Sequence, residues 1–298
     1  MSSGWSLFVI IITIANIVAC LWLIMWTTKK RKDGSQMGET TGHIWDDNLQ
    51  EYNNPLPRWW LWLFIITIIF SLVYLYYYPG LGNYSGSGEW SQADQYEQEM
   101  QQAREKYGPI FAAYAQKPVP DLIKDKKAMA SGHRLYLNHC ATCHGSDAGG
   151  SPGFPNLTDN DWLYGGSPEM IKTSISQGRQ GMMPPMGAGL NDEQLDDMTA
   201  YVLSLSGRAD AASIGRIEEG KKQYRILCVG CHGIQGEGNS AAGFPRLSDD
   251  VWLYGGSPGA IKESIKQGRS GNMPAHAEFL DQEKIHLLAA YIYSLSNE

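Results

Sequence analysis

The pentapeptide Cys140-Ala141-Thr142-Cys143-His144 returns 88 positions later as Cys228-Val229-Gly230-Cys231-His232. The spacing is chemical. Two thiols three positions apart can each form a thioether to one porphyrin vinyl group, and the histidine that follows presents its imidazole to the iron. The chain is therefore expected to carry two covalently bound haem c groups, held by Cys140, Cys143, Cys228 and Cys231, with His144 and His232 as proximal iron ligands. Four of the five cysteines are used in this way, which leaves little material for a disulfide framework or a zinc site.

The rest of the chain is divided sharply. Trp5 to Trp26 and Trp59 to Tyr78 are runs without a charged residue, each long enough for a membrane-crossing helix, which needs about 20 apolar residues. Trp5, Trp22 and Trp26 flank the first, and Trp59, Trp60, Trp62, Tyr74, Tyr76, Tyr77 and Tyr78 flank the second, as interfacial aromatic belts do. Residues 1–80 are thus expected to form a membrane anchor of two transmembrane helices, about 5–26 and 59–78. Its first run lacks the basic leader of a signal peptide. Lys29, Lys30, Arg31 and Lys32 follow the first run and Arg58 precedes the second, so the loop between them is expected on the cytoplasmic side and both termini outside. The haem motifs then face the periplasm, where such groups are attached in bacteria. Residues 1–80 hold five Lys/Arg and five Asp/Glu, so the net charge of −7 belongs entirely to the exterior part. An acidic surface favours encounter with a basic protein partner and gives no basis for nucleic-acid binding.

Beyond a linker or stalk at 81–128, whose Gln- and Glu-rich stretch from Glu89 to about Gln116 reads as helix, the chain repeats itself. Trp-Leu-Tyr-Gly-Gly-Ser-Pro stands at 162–168 and at 252–258, and Gly-Phe-Pro-Asn-Leu at 153–157 returns as Gly-Phe-Pro-Arg-Leu at 243–247. The offset is 88 before the haem motif and 90 after it, so the second copy has a two-residue insertion. Two domains follow, 129–208 and 213–298, each read as helix, haem motif, Gly/Pro-rich loop, short helix, Met-Pro loop and closing helix. Domains this small have little core of their own. Gly132 or Gly220 in the first helix lets the closing helix, with Tyr201 or Tyr291, approach closely. Each copy resembles the class I cytochrome c fold. The overall fold class expected is all-α: an N-terminal two-helix transmembrane hairpin followed by two tandem class I cytochrome c domains.

A haem that only carries electrons keeps both axial positions filled. Alignment of the repeats pairs Met183 with Met273, each followed by proline, as the sixth ligands. Met182 and Met186 compete in the first copy, and His276, which aligns with Met186, competes in the second. Ligation from within the same domain is the default; an exchange, with Met183 on the second iron and Met273 on the first, stays open. Arg179 and Arg269 are candidates for pairing with haem propionates. Trp162, Tyr164, Trp252 and Tyr254 are expected to wall the haems. His139 adjoins Cys140 and has no counterpart in the second copy, where Leu227 stands; His43, His133 and His286 read as ordinary polar residues, and Cys20 as a small apolar one within the first span.

Trp45-Asp-Asp-Asn-Leu-Gln-Glu-Tyr-Asn-Asn-Pro-Leu-Pro-Arg-Trp-Trp60, leading into the second run and then into two haem motifs, resembles the dihaem subunit of bacterial cbb3-type cytochrome c oxidases, the CcoP/FixP family. The resemblance implies electron transfer from a donor cytochrome c through the two haems to a monohaem subunit, and on to a haem–copper catalytic subunit that reduces oxygen and pumps protons. It also implies residence in the bacterial inner membrane and no catalytic site in this chain. A stand-alone anchored carrier would share the haem features but needs neither two spans nor the 45–60 segment, and a dehydrogenase cytochrome subunit is a further carrier reading. A dihaem peroxidase needs an iron with an open position, whereas both copies here offer a methionine. A haem-based gas sensor would need a signalling domain, and none is seen.

Overall fold

A computed structural model describes residues 1–28, 40–52, 57–211 and 213–297. The basic cluster Lys29–Lys32 and residues 53–56 of the 45–60 segment lie outside the described residues. The chain divides into two compact units, Met1–Glu105 and Lys106–Glu298.

In the first unit, α1 (Ser3–Thr27) and α2 (Arg58–Tyr77) are long and apolar enough to cross a membrane, and their large side chains are mostly exposed. Cys20 lies on an exposed face of α1. The turn after α2 returns to the start of α1, where Asn83 N–H donates to Ser6 Oγ (2.9 Å). Between these helices β1 (Thr40–Trp45) and β2 (Leu49–Tyr52) form an antiparallel hairpin, so the chain is not purely helical. Asp46 and Asp47, with φ of 50° and 67°, supply the left-handed turn that matches strand twist. α3 (Gln92–Ala115) occupies the expected polar helical stretch, and the division between the units falls within it.

The second unit contains both repeats. The first supplies α4 (Val119–Leu122), α5 (Lys126–His139), α6 (Ala141–His144), α7 (Pro168–Gln177), β3 (Arg179–Met183) and α8 (Asp192–Leu205). The second supplies α9 (Ile214–Leu227), α10 (Val229–His232), α11 (Pro258–Gln267), β4 (Arg269–Met273) and α12 (Gln282–Leu295). Local chemistry sets the ends. Ser167 and Ser257 cap α7 and α11 ahead of a proline at the first helical position, and Asn191 with Gln194 forms a capping box on α8.

The packing is crossed. Tyr136 of α5 and Ile171 and Ile175 of α7 share a core with Ile285, Leu288, Ala289 and Ile292 of α12. Tyr224 of α9 and Ile261 and Ile265 of α11 share another with Leu195, Met198, Tyr201, Val202 and Leu203 of α8. The closing helix of each repeat therefore seals the other repeat's haem-motif half, which corrects the expectation that each repeat closes on itself. A third, smaller core joins Val119, Leu122 and Ala128 to Leu287 and Ala290.

The crossover runs through β3 and β4, which pair antiparallel with Gly181 opposite Gly271, Arg179 opposite Met273 and Met183 opposite Arg269. The register places each arginine beside the methionine of the other repeat, and a local twofold passes through the glycine pair. Gly178 and Gly268 start the strands at φ of 70° and 73°, with the partner strand's Pro274 or Pro184 backbone where a Cβ would stand. A one-residue slip would turn every inward side chain outward, so the buried face fixes the register.

Gly132 and Gly220 behave as expected in kind but with exchanged partners. A Cβ on Gly132 would meet Tyr291 Cβ at 2.7 Å, and one on Gly220 would meet the Asp197 carbonyl and Tyr201. Gly220→Ala is expected to lower stability by about 1–3 kcal/mol, because the obstruction is backbone and cannot rotate away. Thermal unfolding of the haem-loaded chain checks this; an unchanged midpoint would show that α8 does not lie so close to α9.

Candidate haem-binding sites

Each Cys-x-x-Cys-His motif sits where one helix ends and a single turn begins. Cys140 caps the end of α5 and Cys228 that of α9, both half-buried, while Cys143 and Cys231 are exposed on the following turn. Burial, reinforced by the second cysteine, pushes the Cys140 and Cys228 thiols up to about 11. Among the described residues no group of three His, Cys, Asp or Glu side chains is arranged to hold a metal ion.

The histidines are held by one device used twice. His144 Nδ1 lies 2.9 Å from the Pro155 carbonyl oxygen, and His232 Nδ1 lies 3.0 Å from that of Pro245. A carbonyl only accepts, so Nδ1 carries the proton and Nε2 is left with its lone pair free, the tautomer that a metal requires. Burial holds the His144 pKa below the ordinary imidazole value, the Pro155 contact opposes this, and His276 adds a small repulsion. The turns are tied down in parallel. Tyr136 Oη donates to the Gly145 carbonyl (2.7 Å) and Tyr224 Oη to that of Gly233 (2.9 Å). Sequence reasoning missed both devices, although the recurring Gly-Phe-Pro was a signal for the first.

The methionines pack against the cores in exchange between the repeats. Met273 packs on the core that contains Cys140, and Met183 on the core that contains Cys228. β3 alternates, so Met182 faces out at 77% exposure and is removed from the candidates. Met186 lies in the same core as Met183, with its backbone N–H bonded to Ile265 O. His276 is buried, its N–H bonded to Ile175 O and its Nδ1 2.9 Å from Pro274 O.

The wall residues divide between the same two places. Trp162 borders the first core and Trp252 the second. Arg179 Nε donates to Ser174 Oγ (2.9 Å) and its guanidinium lies 4.5 Å from the Tyr164 ring centre; Arg269 repeats this with Ser264 (2.9 Å) and Tyr254 (4.7 Å). Among the described residues, the buried donors Arg179 Nη2 and Trp252 Nε1 have no hydrogen-bond partner. Buried donors are nearly always satisfied, and both types suit a carboxylate, so these residues fit a haem whose propionates lie against them. His133 stands against the Tyr291 ring, His139 against Phe279, and His286 Nε2 lies 2.9 Å from Lys117 O. His43 is exposed in β1. None of these four joins a motif.

Comparison with known proteins agrees with this geometry. Residues 37–85 match the N-terminal domain of cytochrome oxidase-cbb3, FixP, and residues 127–202 and 215–292 match cytochrome c oxidase, cbb3-type, subunit III. The chain is 44% identical to the CcoP subunit of Rubrivivax gelatinosus over 296 residues, covering 99% of this chain and 96% of that one. It is 37% identical to the FixP subunit of Azorhizobium caulinodans over 279 residues (88% and 94% of the two chains) and 37% identical to CcoP of an Azospirillum species over 290 (89% and 97%). The chain belongs to the CcoP/FixP family. It is thus an electron-transfer subunit of a cbb3-type cytochrome c oxidase, a membrane-associated c-type cytochrome component, and the other oxidase subunits are its partners.

Tyr224→Phe removes the hydroxyl that the Gly233 carbonyl accepts from and is expected to cost about 1 kcal/mol. Denaturant unfolding of the haem-loaded chain measures it, and a loss under a few tenths would mean that the hydroxyl does not hold the turn.

Proposed function

We propose that this chain conducts electrons through two covalently bound c-type haems whose pockets are each completed by the opposite repeat. The observation that carries the reading is the convergence, against each core, of one motif's first cysteine with the other repeat's methionine. Cys140, Cys143, His144 and Met273 would hold the first haem, and Cys228, Cys231, His232 and Met183 the second. The two haem-binding units then draw on 126–177 with 269–297, and on 179–205 with 214–267. A c-type haem with both axial positions filled supplies reversible one-electron exchange and offers no open site for a substrate.

The protein's own part is to orient and enclose. Pro155 and Pro245 fix the imidazole tautomer, the thiols stay neutral until they are linked, and α8 and α12 exclude water from the side opposite each motif. Met273 is preferred over His276 because it stands opposite Arg179 as Met183 stands opposite Arg269.

α1 and α2 are read as a membrane hairpin, with the connection that bears Lys29, Lys30, Arg31 and Lys32 in the cytoplasm. The haem units then lie in the periplasm of a bacterial inner membrane. The acidic exterior suits a basic donor cytochrome c, and the acceptor partners are the monohaem and haem–copper subunits of the oxidase.

Intact mass of the purified chain is expected to show two added haems; fewer would overturn the reading. Exchange of ligands is tested in a Cys228→Ala/Cys231→Ala chain, which retains only the first haem. There Met273→Ala is expected to produce a reduced haem that binds carbon monoxide, and Met183→Ala to leave the spectrum unchanged. The opposite pattern would restore ligation within each repeat.

A further inference from the structure

The loops that follow the two motifs meet each other. Gly153 N–H donates to Leu253 O (2.7 Å), and a Cβ on Gly243 would collide with the Tyr164 ring. At this junction Asp161 of the first repeat lines the same cleft as Arg246 of the second, and its carboxyl bears on the neighbouring carboxyl of Asp249. Asp249 Oδ1 accepts from Val251 N–H (3.1 Å), while its Oδ2 is buried and has no hydrogen-bond donor. Arg246 holds its Nε 3.9 Å from that oxygen, with a mostly exposed side chain. Asp159 stands behind the pair, its Oδ1 accepting from Asp161 N–H (3.0 Å). Glu237 is the remaining charged group lining the adjoining cleft of about 280 Å³.

Two carboxylates in contact cannot both ionise without a donor between them, and a proton is the smallest donor available. The arrangement occurs once and not twice. Asp161 aligns with Val251, so the repeat does not generate a second pair.

Its position gives the proton a use. Asp161 adjoins Trp162, which borders the first core, and Asp249 lies three residues before Trp252, which borders the second. Resting on the two-haem reading, we propose that Asp161 and Asp249 form a proton-binding site between the two units, which takes one proton from solvent when the chain is reduced and returns it on oxidation. The electron comes from the donor protein and the proton from bulk water, so charge and atoms balance. Linkage makes the effect reciprocal: negative charge added by reduction tightens the proton, and the proton favours reduction.

Burial, and then the Asp161 carboxyl, push Asp249 up to about 6, and burial also raises Asp159. A carboxyl raised on folding stabilises below its unfolded pKa and loses that contribution as pH rises through the folded one. The junction is therefore fastened in mild acid and weakened above neutrality, and the redox effect falls in the same interval.

The test is a potentiometric titration of the full haem-loaded chain in detergent from about pH 5 to about pH 8.5, with infrared difference spectra between the oxidised and reduced states. Midpoint potentials are expected to fall as pH rises through about 6 and then level, with a protonated-carboxyl band in the difference spectrum. Asp249→Asn supplies a permanent donor to Asp161, so it is expected to fold, lose the pH-dependent shift and lose the band. Asp161→Asn should do the same, and Asp250→Asn, an exposed neighbour, should keep both. Potentials independent of pH, or a shift that survives in both Asp249→Asn and Asp161→Asn, would overturn the proposal. An intact mass short of two haems would instead defeat the reading on which it rests.

Discussion

Pairing of β3 with β4 governs the rest of the haem-bearing unit. Five residues from each repeat align about a glycine pair, and this short ladder accompanies the exchange of closing helices between the two cores. With Arg179 opposite Met273, α12 packs on α5 and α7, and α8 packs on α9 and α11 in the mirrored geometry. The result is an internal exchange of equivalent elements, the single-chain counterpart of a domain swap. Two units that could have been independent become mutually dependent. Each borrows several buried aliphatic side chains, and fully burying one is worth roughly 1.5–3 kcal/mol.

That dependence suits a conductor. A small domain that folds around a prosthetic group has little core of its own, and independent domains joined by a linker would move relative to each other. Here the strand pair, the exchanged helices and the loop junction at Gly153 and Leu253 tie the two motifs into one body. The same rigidity permits a single carboxyl pair to sit at the border and respond to both.

The electrostatics follow the same division of labour. Exposed acidic groups give the outer part its character toward protein partners, at long range and with sensitivity to salt. The buried exceptions are few and local: guanidinium groups of Arg179 and Arg269 laid on tyrosine rings, and the Asp161–Asp249 contact. These are the groups whose charges are least screened, and they lie beside the motifs and not on the outer surface.

The two Cys-x-x-Cys-His motifs, the repeat, the pair of apolar runs and the 45–60 segment were sufficient for the family and the chemistry, because covalent spacing and span length are local properties of a chain. Helix positions were legible for the same reason: α1, α2 and α3 fall within a few residues of the apolar and polar stretches that announce them. The partner of each motif was not legible. Met183 and Met273 sit in equivalent sequence positions, as do Tyr201 and Tyr291, so either assignment satisfies every local pattern. Only long-range strand pairing breaks that degeneracy, since register and crossing depend on contacts between segments about 90 residues apart. For the same reason the Asp161–Asp249 contact, formed between two positions that the repeat does not equate, exists only in the folded chain.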